Sequence, residues 1–374
     1  MKIIIDMRWI RSINIDGIAN FTLNTTRELL KNDDQYILLV ESKEIANFIE
    51  NNISINLKDN FYYLNCSVTS LKNIYLLPKI IKKLKPDLFF SPCYSLFSPF
   101  ITCKQIGVVH DLIPLIFPEM FKKSSLKFKL SYANTFVLKK ILSYLDKVIT
   151  VSNSTKNDLI KYLNIGTDKI KVIVEGVNVI DLDENRLSEI NKQYNMNKEY
   201  FLFIGRHEKY KNIDGLIKVY YQLPNDIQEK YNLIIIGKYN VNVTPRLINM
   251  IENFKLKENI ILIESVTPNN LPYFYKKAKI LIHISLYEGF GLTVLEAMSY
   301  GLPVIVSDRA SMIEVAGDAC INVNPDNHSI VVDKLLEVLN NDTLYKSLSV
   351  KGLERAKKFT WIQSAKEIQE IFYS

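Results

Sequence analysis

Two acidic residues in the second half of the chain, Glu288 and Glu296, stand eight positions apart around a glycine-containing turn. The pattern predicts a strand ending near Ser285, a turn with Gly289 and Gly291, and then a helix. Glycines let backbone amides approach a ligand closely, and the amino end of a helix attracts a diphosphate. A carboxylate at either position could accept hydrogen bonds from the vicinal hydroxyls of a sugar or a ribose. Alternatively, Glu288 caps the helix and Glu296 is a solvated helix residue.

Two cations follow another predicted strand, which ends at Gly205. Arg206 offers a planar guanidinium and Lys211 a compact ammonium, and together they could neutralise a departing diphosphate. Asn212 is placed to cap the next predicted helix. The alternative for the two cations is a solvated surface loop. The other histidines of this half are predicted to be structural or surface residues: His207, His283 and His328.

A histidine and an aspartate end a predicted strand in the first half of the chain, at His110 and Asp111. The imidazole could donate a hydrogen bond to a sugar hydroxyl or to oxygens at a reaction centre, with Asp111 orienting the loop. A loop histidine whose hydrogen bonds are satisfied within the protein is the alternative.

Short apolar, β-branched runs alternate with helical stretches along the whole chain, which predicts parallel α/β architecture. Residues 122–145 are expected to form a long helix, residues 181–199 the polar connection between two domains, and residues 329–374 a helical tail. Because ligands of doubly wound sheets bind beyond the carboxyl ends of the strands, the candidate side chains are expected in a cleft between two such sheets. Strands are expected at 3–6, 36–40, 88–91, 105–110, 147–151, 171–175, 200–205, 233–237, 259–264, 279–285 and 303–307.

The composition is typical of a globular protein of about two domains, with 374 residues, 48% hydrophobic and 23% charged. No apolar run approaches the roughly 18 residues of a membrane span, and the first apolar run is too short for a signal peptide. A cytoplasmic protein is therefore expected. The cysteines lack zinc-site spacing, which predicts reduced, mostly buried thiols: Cys66, Cys93, Cys103 and Cys320.

Positive charge is concentrated in the first half of the chain. Residues 1–180 contain 24 Lys and Arg against 16 Asp and Glu, a net charge of +8, whereas the remainder has 23 against 24. Lysines at 72–85 and 122–140 contribute most of the excess. Such a surface could make a peripheral contact with an anionic membrane at the inner face, or meet a phosphorylated acceptor or nucleic acid; a solvated lysine face is the alternative. No recognised nucleic-acid-binding module accompanies the lysines, so no nucleic-acid partner is expected.

The segment from Glu288 to Glu296 resembles the E-x7-E signature of the retaining glycosyltransferases of family 4, the group 1 transferases, which have the GT-B fold. The segment from Gly205 to Asn212 is similar to the G-R-x4-K-N segment of that family. The resemblance implies a donor-sugar contact and a catalytic role for Glu288, and a ribose contact for Glu296. It also implies donor-sugar contacts by His110 (with a catalytic role), Gly289, Phe290 and Gly291. It implies diphosphate binding by Arg206, Lys211, Gly17, Gly291, Leu292 and Thr293.

The amino-terminal match to this family is less complete. The family commonly has a G-I-G-R-Y loop after its first strand, and here Gly17 matches while Ala19 and Asn20 replace the second glycine and the arginine. A phosphate-contacting cation is then either missing or supplied by Arg8 or Arg11.

The resemblance implies an α/β, GT-B protein of two facing Rossmann-like domains, residues 1–180 for the acceptor and 181–360 for the nucleotide-sugar donor. A last helix, 361–374, is expected to cross back to the first domain. The stretch 110–119 is similar to family members that build bacterial surface polysaccharides, many of them mannosyltransferases.

The implied reaction is transfer of a hexose with retention, with GDP-mannose as the first candidate donor. The expected acceptor is a saccharide, lipid-linked, in the synthesis of O-antigen, capsule or a similar polysaccharide. A UDP-sugar-dependent transferase for glucose, galactose or GlcNAc and a nucleotide-sugar epimerase are the alternatives. The oligomeric state is left open.

No metal and no other cofactor is expected. Asp181 and Asp183 form the D-x-D pattern of metal-dependent transferases, but they lie in the predicted connection, away from any strand end. The G-x-G-x-x-G pattern of NAD-dependent oxidoreductases is absent. Arg206, Lys211 and helix amino ends would supply the electrostatic stabilisation instead.

Overall fold

The computed structural model describes residues 1–11, 15–57, 59–94, 99–121, 134–194 and 196–374. These residues form two compact units, the first made of residues 1–176 with 360–374, and the second of residues 177–359. Each unit contains one β-sheet, and the described strand pairs are all parallel. No helix within the described ranges is both long and apolar enough to cross a bilayer.

The first sheet is built from β1 (Lys2–Asp6), β2 (Gln35–Val40), β3 (Phe61–Tyr63), β4 (Leu88–Ser91), β5 (Lys104–Val109), β6 (Lys147–Thr150) and β7 (Ile170–Val172). Its strand order is β3-β2-β1-β4-β5-β6-β7. The accompanying helices are α1 (Gly17–Leu29), α2 (Lys43–Ile53), α3 (Asn73–Leu84), α4 (Ile113–Ile116), α5 (Thr135–Ser143) and α6 (Asn153–Leu163). Short 3-10 turns cover Met7–Trp9, Pro118–Phe121 and Thr167–Lys169. Strands β1 and β4 are covered on both faces, which explains their nearly unbroken apolar sequences.

The second sheet is built from β8 (Glu199–Ile204), β9 (Tyr231–Ile236), β10 (Ile260–Ile263), β11 (Ile280–His283), β12 (Val304–Ser307) and β13 (Ile321–Val323). Its strand order is β10-β9-β8-β11-β12-β13. The helices of this unit are α7 (Glu184–Gln193), α8 (Ile213–Tyr221), α9 (Asn225–Lys230), α10 (Thr244–Asn253), α11 (Leu271–Lys277), α12 (Leu292–Ser299), α13 (Met312–Ala316), α14 (His328–Asn340) and α15 (Asp342–Ala356). One 3-10 turn, Lys209–Lys211, follows β8.

The last helix, α16 (Trp361–Tyr373), belongs to the first unit and packs against α1. The ring of Phe372 meets the ring of Phe90 edge-on, with 5.2 Å between the centroids. Lys104 Nζ donates to the carbonyl oxygens of Ile371 and Phe372 at 3.0 and 3.2 Å, which places a cation at the carboxyl end of the helix. The predicted return of the last helix to the first domain is thus confirmed.

The chain leaves the first unit after Gly176 and re-enters it at Thr360. A Cβ atom built on Gly176 would lie 2.3 Å from the backbone nitrogen of Trp361 and 2.6 Å from the carbonyl carbon of Thr360. The hydroxyl of Ser364 donates to the carbonyl oxygen of Val174 at 2.7 Å and ties α16 to the same segment. This close approach of two backbones requires glycine at position 176.

Of the thirteen strands in the described part of the chain, eleven were predicted and two were missed. The missed strands, β3 and β13, have three residues each, too few to show an apolar pattern. Of the long helix predicted at 122–145, α5 is seen, while residues 122–133 lie outside the described residues.

The segment 181–199 differs from its prediction as the connection between domains. It lies in the second unit and contains α7, which begins where the Asp183 carboxylate accepts a hydrogen bond from the Asn185 N–H at 2.9 Å. Ile190 of this helix is wholly buried. A single well-buried apolar residue thus anchors a helix whose composition is mostly polar.

We expect Gly176→Ala to lower the free energy of unfolding by about 1–3 kcal/mol, the range for overpacking a close-packed site. The atoms in the way belong to the backbone, so a side-chain rotation cannot relieve the clash. Urea denaturation followed by the fluorescence of Trp361, which lies beside the change, measures the loss. Gly352→Ala in α15 is the control, because a Cβ there meets nothing closer than 3.5 Å. Equal stability of Gly176→Ala and the wild type would contradict this account.

Candidate active site

The order of strands in the second sheet reverses between β8 and β11, which lie side by side. In doubly wound sheets, ligands bind beyond the carboxyl ends of the strands at such a point. The loops that follow these two strands contact each other there. The Leu286 N–H donates to the carbonyl oxygen of Tyr210 at 2.7 Å, and Asn212 Nδ2 donates to that of Ile284 at 3.1 Å. The fold therefore brings together the two candidate segments of the second half of the chain.

Asn212 is the N-cap residue of α8, as predicted, but its side chain does not cap the helix. Its backbone has a φ of 55°, in the left-handed region that asparagine tolerates better than most residues, and its amide makes no cap hydrogen bond to α8. The amide instead reaches the carbonyl oxygens of Ile284 and Pro325. A contact with distant parts of the chain has replaced the local one.

Glu288 is 8% exposed, and both of its carboxylate oxygens have cationic or N–H partners. Lys211 Nζ lies 2.7 Å from Oε1 and 2.8 Å from Oε2, while His283 Nε2 lies 2.8 Å from Oε1. Burial opposes ionisation, but Lys211 and His283 hold the pKa of Glu288 well below its usual range. Burial alone would lower the pKa of Lys211, yet the charge of Glu288 raises it. The pair is therefore charged at neutral pH.

Glu288 does not cap α12, because that helix begins at Leu292 and its N-cap residue is Gly291. Gly291 has a φ of 117°, a region that favours glycine, and a Cβ built on it would lie 2.4 Å from a neighbouring methionine methyl. The hydroxyl of Ser311 lies 3.0 and 2.6 Å from the carbonyl oxygens of Glu288 and Phe290, and so holds the turn in shape. The first amides of α12 have no acceptor within the helix, an arrangement suited to an anion.

Glu296 lies in α12 and is held by a buried tyrosine. The hydroxyl of Tyr275, which is 2% exposed, donates to Glu296 Oε2 at 2.6 Å. Burial and the charge of Glu296 raise the pKa of Tyr275, so its hydroxyl keeps its proton. The alternative of a freely solvated helix residue was wrong for Glu296.

The two predicted diphosphate cations lie on one loop in different surroundings. Arg206 is exposed, and its Nη2 donates to the Tyr210 hydroxyl at 3.2 Å. The side chain of Lys211 is 13% exposed and engaged with Glu288. In the described part of the chain, no group of three or more His, Cys, Asp or Glu side chains is arranged to hold a metal ion.

His110 follows β5 in the first unit, and both of its ring nitrogens face protein acceptors. Nδ1 lies 3.3 Å from Glu175 Oε1, and Nε2 lies 2.8 Å from the carbonyl oxygen of Pro92. Both acceptors can be satisfied only when each nitrogen carries a hydrogen, as in the imidazolium form. Burial would lower the pKa of His110, but the hydrogen bond and charge of Glu175 raise it. A sugar hydroxyl would have to replace one of these acceptors, and the predicted contact of His110 with the donor stays a prediction.

Gly17 and Asp111 lie at helix starts in the first unit. Gly17 is the first residue of α1, after Asp16, whose carboxylate accepts a hydrogen bond from the Ala19 N–H at 2.9 Å. Nothing lies within 4 Å of a Cβ built on Gly17, so the space beside it is open. Asp111 Oδ1 accepts from the Ile113 N–H at 2.9 Å, as expected for a residue that orients its loop.

Arg8 is not available to a ligand, contrary to one of the two expectations for the amino-terminal loop. It is 1% exposed and donates to both carboxylate oxygens of Asp6 at 2.8 and 2.7 Å. Its remaining nitrogen is taken by the Asn73 side chain at 2.8 Å and the Cys66 carbonyl oxygen at 2.9 Å. Of the two arginines, Arg11 alone is exposed.

Sequence reasoning missed three residues that hold the candidate side chains. Tyr275 and Glu175 are 21 and 65 residues from their partners, so no spacing could have shown them. His283, predicted to be a structural or surface residue, contacts Glu288 directly. It had a signal in the sequence, because it is the polar residue at the end of the otherwise aliphatic strand β11.

Two family models match nearly the whole chain between them. The model described as Glycosyltransferase Family 4 matches residues 15–180, and the model described as Glycosyl transferases group 1 matches residues 186–355. Both ranges contain candidate residues described above.

The chain is similar to curated relatives and to solved structures. It is 28% identical over 267 residues to the serotype-specific mannosyltransferase WbdA of Escherichia coli, a match that covers 70% of this chain and 32% of the relative. The chain thus spans about a third of the length of that protein. It is 32% identical over 224 residues to the O-antigen chain mannosyltransferase RfbU of Salmonella typhimurium, covering 60% of this chain and 57% of the relative.

A solved structure of similar fold is Anabaena HepE in complex with UDP-glucose, with a TM-score of 0.78 and 14% identity. The match covers 100% of this chain and 99% of that one. The likeness shows the fold, and the predicted GT-B class with two Rossmann-like domains is confirmed.

We expect Glu175→Gln to destabilise the protein in a pH-dependent way. The pKa of folded His110 is raised above its ordinary value of 6.5, so the stabilisation is complete below pH 6.5 and is lost as the pH rises through the folded pKa. The wild type should exceed the variant by on the order of 1 kcal/mol at pH 5.5, with a smaller difference at pH 8.5. Urea denaturation at a series of pH values measures both. A difference that grows with pH would show that His110 is not charged in the folded state.

Proposed function

Because the chain belongs to the group 1 glycosyltransferases of family 4, we propose that it transfers a hexosyl unit from a nucleotide sugar to a saccharide acceptor with retention. The observation that carries the proposal is the charged Lys211–Glu288 pair beside the first amides of α12. It places a cation, a carboxylate and backbone donors at one switch point of a doubly wound sheet. A nucleotide sugar needs those three groups for its diphosphate and its hydroxyls.

The donor diphosphate is bound by the loop cations and by the amino end of α12. Arg206 is exposed and can turn to a phosphate, and Lys211 can exchange one oxygen anion for another. The backbone amides of Gly291, Leu292 and Thr293 bind the phosphates, and at Gly291 no side chain lies in between. These groups stabilise the charge that develops on the leaving diphosphate, so the proposal needs no metal ion.

The two acidic residues take the hydroxyl groups of the donor. Glu288 and the turn through Gly289 and Phe290 contact the sugar. Glu296 contacts the ribose, and Tyr275 orients its carboxylate. In the first unit, His110 and Gly17 remain the proposed contacts to the donor sugar and the diphosphate.

Retention follows from attack on the same face of the sugar that the diphosphate leaves. The bond between the anomeric carbon and the phosphate oxygen breaks, and the acceptor oxygen bonds to that carbon. The acceptor proton passes to the departing phosphate oxygen. No second carboxylate is evident as a nucleophile beside Glu288 in the described part of the chain, so a double displacement through a glycosyl-enzyme is not proposed.

The names of the curated relatives favour mannose as the sugar. WbdA of Escherichia coli and RfbU of Salmonella typhimurium are both named mannosyltransferases, and RfbU is named for O-antigen chains. GDP-mannose is therefore the first donor to try, with UDP-sugars as the competing candidates, and the proposed acceptor is a growing polysaccharide of the cell surface carried on a lipid.

A basic groove of about 650 Å³ in the first unit supports contact with an anionic lipid surface. Its three lysines, Lys79, Lys82 and Lys85, are exposed and form no ion pair among the described residues; we call them the groove lysines. Phe100, 66% exposed, adds an apolar side chain to the same groove. The groove is lined by residues that come just before β4 and β5 in the chain. It therefore lies at the amino ends of these strands, away from their carboxyl ends. Cations beside apolar side chains suit the interface of an anionic membrane.

Binding of the proposed donor should raise the thermal stability of the protein. GDP-mannose at about 100 times its Kd should stabilise the protein by about 2.7 kcal/mol and raise the Tm. Arg206→Ala and Glu296→Ala should lose the Tm shift, because each removes a proposed contact with the sugar nucleotide. Thermal denaturation with GDP, UDP, ADP and their sugars, run in EDTA because no metal is proposed, measures this. Arg246→Ala is the matched control, since Arg246 is exposed in the same unit and pairs with Asp214 instead.

Two results would speak against the donor proposal. If no nucleotide sugar changes the Tm of the wild type, the proposed function fails. If a UDP-sugar, not GDP-mannose, gives the shift, the transferase proposal stands and mannose is replaced.

The groove lysines should hold the protein on an anionic lipid surface. The protein should co-sediment with phosphatidylglycerol vesicles at low salt and detach at about 0.5 M salt, because exposed charges are screened. Changing the three groove lysines to Glu should reduce the bound fraction at least about tenfold, since each lysine near such a surface contributes about 1 kcal/mol. A control with the same change of charge in the second unit should bind as the wild type does: Lys257, Lys276 and Lys277 to Glu. Equal loss in both triple variants would mean that overall charge, not the groove, drives binding.

A further inference from the structure

β11 ends in a histidine at a position where a buried parallel strand normally carries an aliphatic residue. His283 is 1% exposed, and its ring lies flat against that of Phe203, with centroids 5.4 Å apart and planes 13° apart. Its Nδ1 atom is buried and has no hydrogen-bond partner in the described part of the chain. An unsatisfied buried nitrogen is destabilising, and an aliphatic side chain would avoid it. Packing alone therefore does not account for the histidine.

The other ring nitrogen makes one directed contact. Nε2 of His283 lies 2.8 Å from Oε1 of Glu288. An ionised carboxylate only accepts hydrogen bonds, so Nε2 carries the hydrogen and donates it. The stacked Phe203 ring fixes the plane of the imidazole, and the imidazole in turn fixes where Oε1 lies.

Lys211 holds the same carboxylate with more freedom. Its ammonium sits on a flexible four-carbon stem, and its side chain is 13% exposed, against 1% for that of His283. Under the proposed function this ammonium also binds the donor diphosphate, which competes with Glu288 for it. When Lys211 turns to the diphosphate, Oε2 of Glu288 loses its partner, whereas Oε1 keeps His283.

We propose that His283 is a positioning residue, which holds Oε1 of Glu288 so that Oε2 faces the donor sugar once Lys211 has engaged the diphosphate. This inference rests on the proposed function, because it assigns Glu288 to the sugar and Lys211 to the phosphates. His283 itself touches neither the donor nor the reacting atoms.

Two amides in place of His283 test the positioning role. The amide nitrogen of Gln reaches about as far as Nε2, whereas that of Asn reaches only as far as Nδ1. We expect His283→Gln to keep kcat within roughly threefold of the wild type, and His283→Asn to lower it at least about tenfold. The KM for the donor should change by less than about threefold in both variants, because the phosphate contacts remain. Steady-state transfer from the preferred sugar nucleotide gives both constants, and calorimetry with the free nucleoside diphosphate checks that binding is retained.

A stability control separates positioning from general loosening of the core. The hydroxyl of Tyr220, buried in the same unit, donates to the Tyr231 carbonyl oxygen at 2.6 Å, far along the chain from Glu288. Tyr220→Phe removes one buried hydrogen bond and should leave kcat unchanged. If His283→Asn does not fold, His283→Phe takes its place, because it keeps a ring against Phe203 and lacks the N–H group that bonds Glu288.

Each outcome bears on one claim. Wild-type kcat in both amide variants, or the same loss in both, overturns the positioning role while leaving the transferase intact. The same loss in Tyr220→Phe as in His283→Asn also overturns it. A wild type that binds and turns over no sugar nucleotide overturns the proposed function, and this inference falls with it.

Discussion

The candidate site depends on a buried ion pair, an ammonium and a carboxylate within hydrogen-bonding distance of each other. Taking two charges out of water is costly, and their attraction offsets that cost only if the geometry is closely held. The geometry comes from the sheet, because the adjacent strands β8 and β11 end at one edge and place Lys211 and Glu288 opposite each other. The left-handed backbone of Asn212 and the turn at Gly291 serve the same geometry. The local conformations that look irregular are thus the ones that keep the charges paired.

The first unit uses buried charge in a related way. Arg8 is enclosed by Asp6, Asn73 and a carbonyl oxygen, and His110 lies between Glu175 and the carbonyl oxygen of Pro92. Both cations follow strands of the same sheet, at the carboxyl ends where a doubly wound sheet offers its binding edge. The two cations differ in whether their charge can change. Arg8 is saturated by the protein and has a structural role. His110 lies between two acceptors, and its pKa is raised by Glu175, so it loses its charge only as the pH rises through that pKa.

Local patterns in the sequence predicted the elements well and the contacts between them poorly. The apolar runs of β1, β4 and β8 and the acid–glycine spacing around Glu288 are properties of neighbouring residues, so the chain itself displays them. The partners of the candidate residues are properties of the fold. Tyr275 reaches Glu296 because α11 and α12 pack together, and the Asn212 side chain bonds a carbonyl oxygen of another loop instead of capping α8. Arg8 was predicted as a possible phosphate-binding cation because the sequence could not show that its guanidinium bonds the carboxylate of Asp6, two residues away.

The return of α16 to the first unit has a consequence for the order in which the protein is made. During synthesis the second unit, residues 177–359, is complete before the ribosome has added the helix that covers α1. Domains generally fold as units, with the amino-terminal one first. Here the amino-terminal unit must wait with part of its apolar surface uncovered, including the face of Phe90 that Phe372 later meets. The nascent chain therefore passes through a stage in which residues 177–359 have been synthesised while the first unit still lacks the helix that covers it.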